Sequence, residues 1–556
     1  NKPIPVWGTA DVGGKIKVEI NNQSKTTVVR KDGKWRVSLD KMSAGGPYDL
    51  KIIGKDSLII KNVMIGEVWI CSGQSNMQMP LADWGQVVNY KKEVASAHYP
   101  NIRLFYVNRT MSNVPCDTIS SSGWDECDSS TVAKFSAVAY FFGRHLCKNL
   151  NIPVGLVHTS WGGSVAETWV SAGSLAEFPE FADEIISVQY DTLNVDDAVK
   201  RYEMNLEKYQ ELVIKKDLGY RNGSSIWEKP NLDISDWGEM NIPTLWEKAG
   251  HKELDGAVWF RREVNIPESM LGKELTLQLG PINDHDITWF NGIEVGRSGG
   301  ASSSRTYKIP ASLAKSGRNV IVIRVFDLGR NGGIWGRPEQ MQLKDNHNHN
   351  KTIPLAGLWS YKIGLNLKTI PPRPISPINM NRPTVLFNAM ISPLIPYGIR
   401  GAIWYQGESN ATRAFQYRTL FPALINDWRT HWNQGDFPFL FVQLANFQNV
   451  QIEPEEDAWA ELREAQLLTL SLANTGMAVS IDIGEADDIH PKNKQEVGRR
   501  LALNALNLVY DQDVAYSGPI YKSMQVEGNK IRLSFDHIDG GLTTREGDTL
   551  KGFSIA

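Results

Sequence analysis

The 556-residue sequence has little that would place it among nucleic-acid-binding or membrane proteins. No Lys/Arg-rich stripe stands out, and 59 basic residues against 62 acidic ones leave a net charge of −3. Because a nucleic-acid-binding protein needs a strongly basic face, we expect no nucleic acid as a partner. No apolar run approaches the ~18 residues of a membrane span, so we expect no membrane-spanning helix.

The N-terminal segment and the cysteines also lack familiar signals. NKPIPVWG, at residues 1–8, has no charged region followed by an apolar one, so no signal peptide is expected in this sequence. The four cysteines form no CxxC pair, which argues against a zinc site. Cys116 and Cys127 lie in a Ser/Asp-rich loop and could form a disulfide if the protein is exported.

Changes in the residue pattern predict five segments. Residues 1–62 alternate with period two and read as an N-terminal β-sandwich. Short apolar runs alternating with helix-like stretches in 63–216 and 367–515 predict an α/β domain in two parts, with a mostly parallel sheet. Residues 217–366, with strands and Gly, Asn and Pro turns, predict an inserted β domain. A final β segment occupies 516–556.

One strand of the predicted sheet runs into a small-residue turn. In EVWICSGQSNMQMPL (67–81), Gly73 lets the chain turn sharply, so that the Ser75 hydroxyl projects at the carboxyl end of the strand. The backbone N–H groups of such a turn form a natural oxyanion site. A serine in a turn is nevertheless more often structural than nucleophilic, so this segment does not decide the question.

A nucleophilic serine needs a base, and one histidine fits best. Among the ten histidines, only His490 has an acid three residues before it, Asp487 in EADDIHP. Asp487 is therefore expected to orient His490, and Asp488 and Glu485 are adjacent alternatives. Function in parallel sheets gathers at the carboxyl ends of strands, where these segments are predicted to lie.

Two further loops follow predicted strands. TSWGGSVAETW (159–169) offers the N–H groups of Gly162 and Gly163, and WYQGESN (404–410) offers the amide side chains of Gln406 and Asn410. Each loop is unremarkable by itself, because Gly-Gly commonly only makes a turn. Four such loops after four strands of one sheet indicate a site.

The blocks CSGQSNM, SWGGS, WYQGESN and DDIHP resemble the sialate O-acetylesterase group of the SGNH hydrolase superfamily, which is related to acetylxylan esterases. The longer segments LFNAMISPLIPYGIRGAIWYQGESN and IHPKNKQEVGRRLA are especially specific to that group. The segment GPINDHDITWFNGIEVG is similar to the jelly-roll sugar-binding domain of some β-galactosidases. The insert is therefore expected to be a galactose-binding-like jelly roll.

The resemblance implies a flavodoxin-like, three-layer SGNH hydrolase domain that hydrolyses esters without a metal or a cofactor. It places the nucleophile at Ser75, the base at His490 and its acidic partner at Asp487. The implied oxyanion donors and substrate contacts form a larger set. The donors are the Ser75 N–H, the N–H of Gly162 or Gly163, and the side chain of Gln406 or, second, Asn410; the substrate contacts are Gln74, Asn76 and Glu408.

The predicted function is a serine carbohydrate esterase acting on an acetylated carbohydrate, with sialate 9-O-acetylesterase first and acetylxylan or another glycan O-acetylesterase as the alternative. A glycosidase is a further hypothesis, but Glu408 is the only acid in the strand-end loops that obviously competes. A non-catalytic carbohydrate-binding protein is the third. The family implies a secreted or periplasmic protein, and a C-terminal β domain that continues past Ala556. The sequence leaves the oligomeric state open.

Overall fold

A computed structural model describes residues 2–191, 195–300, 303–329, 331–346, 348–448, 456–538 and 540–544. The chain divides into two units. The first consists of Asn1–Asn194 and Ile378–Ala556, and the second of Val195–Pro377. The predicted α/β character of the chain is confirmed.

A seven-stranded sheet forms the centre of the first unit. Its strands, in chain order, are β1 (Glu67–Gly73), β2 (His98–Val107), β3 (Ser121–Asp128), β4 (Val154–Ser160), β5 (Gly401–Tyr405), β6 (Phe439–Val442) and β7 (Thr475–Ala478). Their spatial order is β7-β6-β5-β1-β4-β2-β3, and only β3 runs antiparallel to its neighbour. The carboxyl end of β1 therefore lies between those of β4 and β5.

Helices connect these strands and frame their carboxyl ends. The α-helices of the described residues are α1 (Ser75–Gln78), α2 (Tyr90–Ala95), α3 (Ala137–Leu150), α4 (Ala172–Leu175), α5 (Ala182–Asp191), α6 (Val195–Lys216), α7 (Ala414–Trp432), α8 (Ala458–Leu468) and α9 (Lys494–Leu508). Ser136 caps α3 by accepting the N–H of Ala139, and its hydroxyl donates to the carbonyl of Met77 at 2.6 Å. That bond fixes α1, which carries Ser75, to the start of α3.

Two β regions complete the first unit. The N-terminal one packs around the buried Val18 and Trp35. Its strands are Ile4–Thr9, Lys15–Ile20, Gln23–Val28, Lys34–Leu39, Gly45–Ile53 and Ser57–Ile65. Near the other end of the chain, Ile520–Glu527 pairs with Lys530–Asp536. The part of the predicted C-terminal segment from 545 to 556 lies outside the described residues.

The second unit contains α6, two six-stranded antiparallel sheets and a short antiparallel pair, Tyr220–Arg221 with Ser224–Ser225. One comprises Gly238–Ile242, Gly256–Ile266, His285–Phe290, Ile293–Gly299, Gly317–Asp327 and Gly357–Asn366. The other comprises Thr244–Leu245, Leu275–Asn283, Ser304–Ile309, Gly333–Ile334, Met341–Asp345 and Asn348–Pro354. This unit begins before the predicted insert boundary at 217, because Tyr209 and Val213 of α6 pack against Ala257 and Leu365.

Other sequence-based expectations concern the membrane and the cysteines. Within the described ranges, no helix combines the length and the apolar character needed to cross a bilayer. Cys116 and Cys127 are free thiols, so the disulfide considered between them is not formed, and Cys71 and Cys147 are free as well. Cys127 instead lies buried in β3.

Candidate active site

The turn after β1 is clamped by its two neighbouring strands. Gly73 adopts φ +138°, and a Cβ at this position would lie 2.1 Å from the carbonyl oxygen of Tyr405. The N–H of Gln74 donates to that same carbonyl at 2.9 Å, and the N–H of Trp161 donates to the Gly73 carbonyl at 3.1 Å. Ser75 then opens α1, where first-turn N–H groups have no intrahelical partner.

Only one of the three nucleophilic side chains in this segment reaches the surface. Cys71 and Ser72 are fully buried, whereas Ser75 is half-buried. Burial raises the pKa of the Cys71 thiol well above its ordinary value, which suppresses the thiolate. Ser75 is therefore the candidate nucleophile, and Cys71 packs within the strand.

A hydrogen bond brings the Ser75 turn to the His490 loop. Asn76 Nδ2 donates to the carbonyl of Ile489 at 3.0 Å, which joins the residue after Ser75 to the residue before His490. The exposed ring of Trp84 lies edge-on to the imidazole, with centroids 5.5 Å apart. Tertiary structure thus joins the two loops that carry this serine and this histidine, which come from distant segments.

The acid that the structure places within 4.0 Å of the His490 ring is Asp488, one of the two sequence-based alternatives to Asp487. Asp488 Oδ1 lies 4.0 Å from His490 Nδ1 and accepts the backbone N–H of His490 at 2.8 Å. Asp487 is exposed, because the turn closed by the Asp488 N–H and the Glu485 carbonyl leaves its side chain at the surface. Glu485 accepts the backbone N–H of Lys492 at 2.8 Å, so its carboxylate is engaged elsewhere.

The surroundings of His490 favour the neutral imidazole that a general base requires. Burial is the main cause that lowers the pKa of His490, and the positive charge of Lys494 is the next. Asp488 opposes both effects, and Lys492 adds a smaller lowering. At neutral pH the ring is therefore able to accept a proton.

The Gly162-Gly163 loop approaches the serine closely. A Cβ on Gly162 would lie 3.2 Å from the Cβ of Ser75, so a larger residue would crowd the nucleophile. The Gly162 N–H donates to Gln78 Oε1 at 2.6 Å, whereas Gly163 is exposed with φ +77°. Gln78 was missed by the sequence reasoning, although its position three residues after Ser75 places it on the same helix face.

Gln406 does not offer a free donor, contrary to the sequence-based preference. Both N–H groups of its amide are used, since Nε2 donates to the Ser164 carbonyl at 3.2 Å and to Asn410 Oδ1 at 2.6 Å. Its oxygen accepts the hydroxyl of Tyr417 at 2.9 Å. Asn410 Nδ2 donates to Glu167 Oε2 at 3.1 Å, which leaves one amide N–H for another acceptor.

The three side chains assigned to substrate contacts are instead buried in the support of the turn. Gln74, Asn76 and Glu408 are 3%, 2% and 8% exposed. Gln74 Oε1 accepts the N–H groups of Gly407 and Ser409, and Asn76 Nδ2 donates to Glu408 Oε1 at 2.5 Å. They bind the β1 turn to the loop after β5, because the segment following β5 folds inward beneath the site.

Two cationic residues near the site were also missed. Lys494 is fully buried, and its Nζ donates to Asn76 Oδ1 at 2.6 Å. Arg109 lies over the ring of Trp161, 5.8 Å from the ring centroid, next to the glycine loop. Only the block IHPKNKQEVGRRLA carried a signal for Lys494, and nothing in the sequence singled out Arg109. Across the described residues, no group of three or more His, Cys, Asp or Glu side chains is arranged to hold a metal ion.

A family model described as "carbohydrate esterase, sialic acid-specific acetylesterase" matches residues 65–212 and 378–507. Both parts of the sheet and every loop of the site fall within the matched ranges. The chain belongs to this family. Membership confirms the family predicted from the sequence motifs and makes the protein a carboxylic ester hydrolase.

Individual relatives agree with this assignment. Sialate O-acetylesterase of Mus musculus is 24% identical over 573 residues, which cover 96% of this chain and 75% of the relative. The Homo sapiens sialate O-acetylesterase is 22% identical over 571 residues, which cover 96% and 72%. The crystal structure of a carbohydrate acetylesterase from Xanthomonas citri aligns with a TM-score of 0.58 and 26% identity, and covers 96% of this chain and 78% of that chain.

Proposed function

We propose that this carbohydrate esterase is a serine enzyme that removes O-acetyl groups from sugars, with 9-O-acetylated sialic acid as its substrate. The observation that carries the proposal is the Asn76–Ile489 hydrogen bond, which joins the residue after Ser75 to the residue before His490. Serine and histidine in this relation support nucleophilic catalysis of acyl transfer. Family membership and the names of the relatives support the acetyl group and the sialate.

The reaction would proceed by two acyl transfers. His490 accepts the Ser75 proton while the Ser75 oxygen attacks the acetyl carbonyl, and Asp488 orients the imidazole and stabilises its charged form. The intermediate collapses, the sugar alcohol leaves with the proton from His490, and acetate stays esterified to Ser75. Water activated by His490 then releases acetate and restores the serine.

The oxyanion hole would be built mainly from backbone. We propose the N–H of Ser75, an N–H of the Gly162-Gly163 loop and the remaining amide N–H of Asn410 as donors. The Gln78 oxygen already accepts the Gly162 N–H, so a substrate carbonyl that uses this donor has to displace Gln78. Gln406, with both donors engaged, takes a supporting position in this proposal.

One group near the site favours a sugar ring, and another favours an acidic sugar. The Trp84 ring is 45% exposed next to His490 and offers an apolar face to a sugar ring. Arg109 is exposed and lies beside Trp161. An exposed guanidinium at this place favours a substrate with its own carboxylate, such as sialic acid, over neutral acetylxylan.

The experiment measures acetate release from 9-O-acetyl sialic acid and acetylxylan, with p-nitrophenyl acetate as a small reference substrate. Ser75→Ala is expected to lose activity on all three. Arg109→Ala is expected to lose about 10-fold or more in kcat/KM on the sialate only, since a charge-assisted contact contributes on the order of 1.5–3 kcal/mol. Arg36→Ala, which changes an exposed arginine of the N-terminal β region, is the matched control.

Two results would contradict the proposal separately. An active Ser75→Ala protein would refute the serine mechanism. A wild-type enzyme that prefers acetylxylan, together with an Arg109→Ala variant that keeps its sialate activity, would refute the sialate assignment and leave the esterase intact.

The domain assignment and the location of the protein belong to the same proposal. We propose that 63–216 and 367–515 form one SGNH-type three-layer domain, whose α6 packs against the insert, that 1–62 form a β-sandwich, and that 217–366 form a galactose-binding-like jelly roll, with 516–556 as a C-terminal β segment. Limited proteolysis that cuts within the insert's strands before its borders would contradict these limits. The resemblance to exported glycan-degrading esterases supports a secreted or periplasmic enzyme, and recovery of the native protein only with cytoplasmic markers would oppose that.

A further inference from the structure

A fully buried lysine lies beneath the serine turn. Lys494 is the first residue of α9, where the Asn493 side chain caps the helix by accepting the N–H of Glu496. The Lys494 Nζ donates to Asn76 Oδ1 at 2.6 Å and lies 5.3 Å from the centroid of the Tyr405 ring. Because burying an ammonium group is costly unless it is paired, its position calls for a specific use.

Asn76 is the hub that this lysine contacts. Its Nδ2 donates both to Glu408 Oε1 at 2.5 Å and to the Ile489 carbonyl at 3.0 Å, while its oxygen accepts from Lys494. An ammonium group can donate but not accept, so only the amide oxygen of Asn76 can face it. The lysine therefore turns the amide N–H groups towards Glu408 and Ile489.

The charged groups around Asn76 also affect the protonation of His490. Lys494 lies near the carboxylate of Glu408, whose Oε2 has no hydrogen-bond partner among the described residues. Burial lowers the pKa of Lys494 to about 7, and the carboxylates of Glu408 and Asp488 oppose that effect. The charged groups that act on His490 are Lys494, Asp488 and Lys492.

We propose that Lys494 is a positioning residue of the esterase: by fixing the amide orientation of Asn76, it holds the Ser75 turn against the His490 loop. The inference rests on the proposed serine mechanism. Without Lys494, the Asn76 oxygen loses its donor and only Glu408 holds the amide orientation, so the hydrogen bond to Ile489 that joins the two loops is weakened. Its charge has a second consequence, since a cation near His490 disfavours protonation of the imidazole.

The test compares Lys494→Met, which keeps the length of the side chain and removes the donor and the charge, with Lys134→Met, an exposed lysine, as control. Lys494→Met is expected to lower kcat/KM for p-nitrophenyl acetate by about 10- to 100-fold, as small misplacements of reacting groups do. The acid limb of its pH profile is expected to move to higher pH, because His490 loses the nearby cation. Lys134→Met should match the wild type in both measurements.

Circular dichroism and thermal unfolding check the fold of each variant. If Lys494→Met does not fold, Lys494→Met/Glu408→Gln replaces both buried ionisable groups that contact Asn76 and is measured in its place, with the same expectations. A folded variant with wild-type kcat/KM overturns the inference. A fall in kcat/KM with an unmoved acid limb also overturns it, since a merely structural role would give that result.

Ser75→Ala, measured in parallel, distinguishes a failure of the proposed serine mechanism from a failure of the role proposed for Lys494. If Ser75→Ala is inactive and the lysine variant behaves as the wild type, only the role of Lys494 fails. If Ser75→Ala is active, the serine mechanism itself fails, and the inference fails with it.

Discussion

Replacing Gly73 with alanine would test how the end of β1 presents the serine. In the structure, φ at this residue is +138°, a conformation that L side chains rarely adopt. The added Cβ would lie 2.1 Å from the Tyr405 carbonyl oxygen, which is backbone of the neighbouring strand. The substitution thus combines backbone strain with a collision that no side-chain rotation can relieve.

The expected magnitude follows from these two contributions. Strain at an unfavourable φ costs on the order of 1–3 kcal/mol, and overpacking against a rigid neighbour costs ~1–3 kcal/mol. We expect Gly73→Ala to lower the free energy of unfolding by about 3–5 kcal/mol. To reach an ordinary carbon–oxygen contact the turn has to move by roughly 1 Å, and a misplacement of that size costs ~10²-fold in catalytic rate.

Gly123→Ala is the matched control, because Gly123 has φ +100° in the same unit but nothing within 4 Å of the added Cβ. It should show the cost of the φ angle alone and keep wild-type esterase activity. Thermal unfolding gives the stability change, with ~2–4 °C expected per kcal/mol. Release of p-nitrophenol from its acetate ester gives the activity. If Gly73→Ala matched Gly123→Ala in both measurements, the close approach of β1 and β5 would not be what positions Ser75.

Three further predictions concern the chemistry of the site. Burial and a nearby cation lower the pKa of His490, so the acid limb of kcat/KM should lie below pH 6.5. Activity should be lost as the pH falls through the pKa of the imidazole. An acid limb above pH 6.5 in a pH–rate profile would contradict this prediction. Asp488→Asn should reduce kcat more than Asp487→Asn, and single-turnover kinetics that rank them in reverse would restore the sequence-based choice. Gln406→Ala should lower the free energy of unfolding and reduce kcat by less than the ~10²-fold typical of a lost oxyanion donor. A larger fall in kcat at wild-type stability would show that Gln406 is an oxyanion donor.

Local sequence was sufficient for the α/β alternation and for the strand that ends at Gly73. Buried parallel strands such as β1, β4 and β5 are short apolar runs between turns, and this pattern does not depend on distant partners. The motifs around Ser75 and His490 carried the family, which the family match confirms. The ends of strands were predicted less well than their presence. The apolar run 476–484 forms a strand only as far as Ala478, because Ile481–Ile483 forms a 3₁₀ helix.

Hydrogen-bond partners could not be predicted from the sequence, because the identity of an amide or carboxylate residue does not show whether its side chain faces a ligand or the core. Asn410 and Gln406 offered equivalent amides in the sequence, and only their partners in the structure distinguish them. Asp488 differs from Asp487 by one position along a turn, and the turn decides which carboxylate is near the imidazole.

What the sequence by itself determined was the set of chemical groups: a serine after a strand, a histidine with acids nearby, and loops rich in glycine and amides. What only the tertiary structure decided was their use. Parallel strand order brings loops from distant segments to one edge of the sheet, and burial there forces each polar atom to find a partner. That requirement places Asn76, Glu408 and Lys494 beneath the site and leaves Ser75 and His490 at its surface.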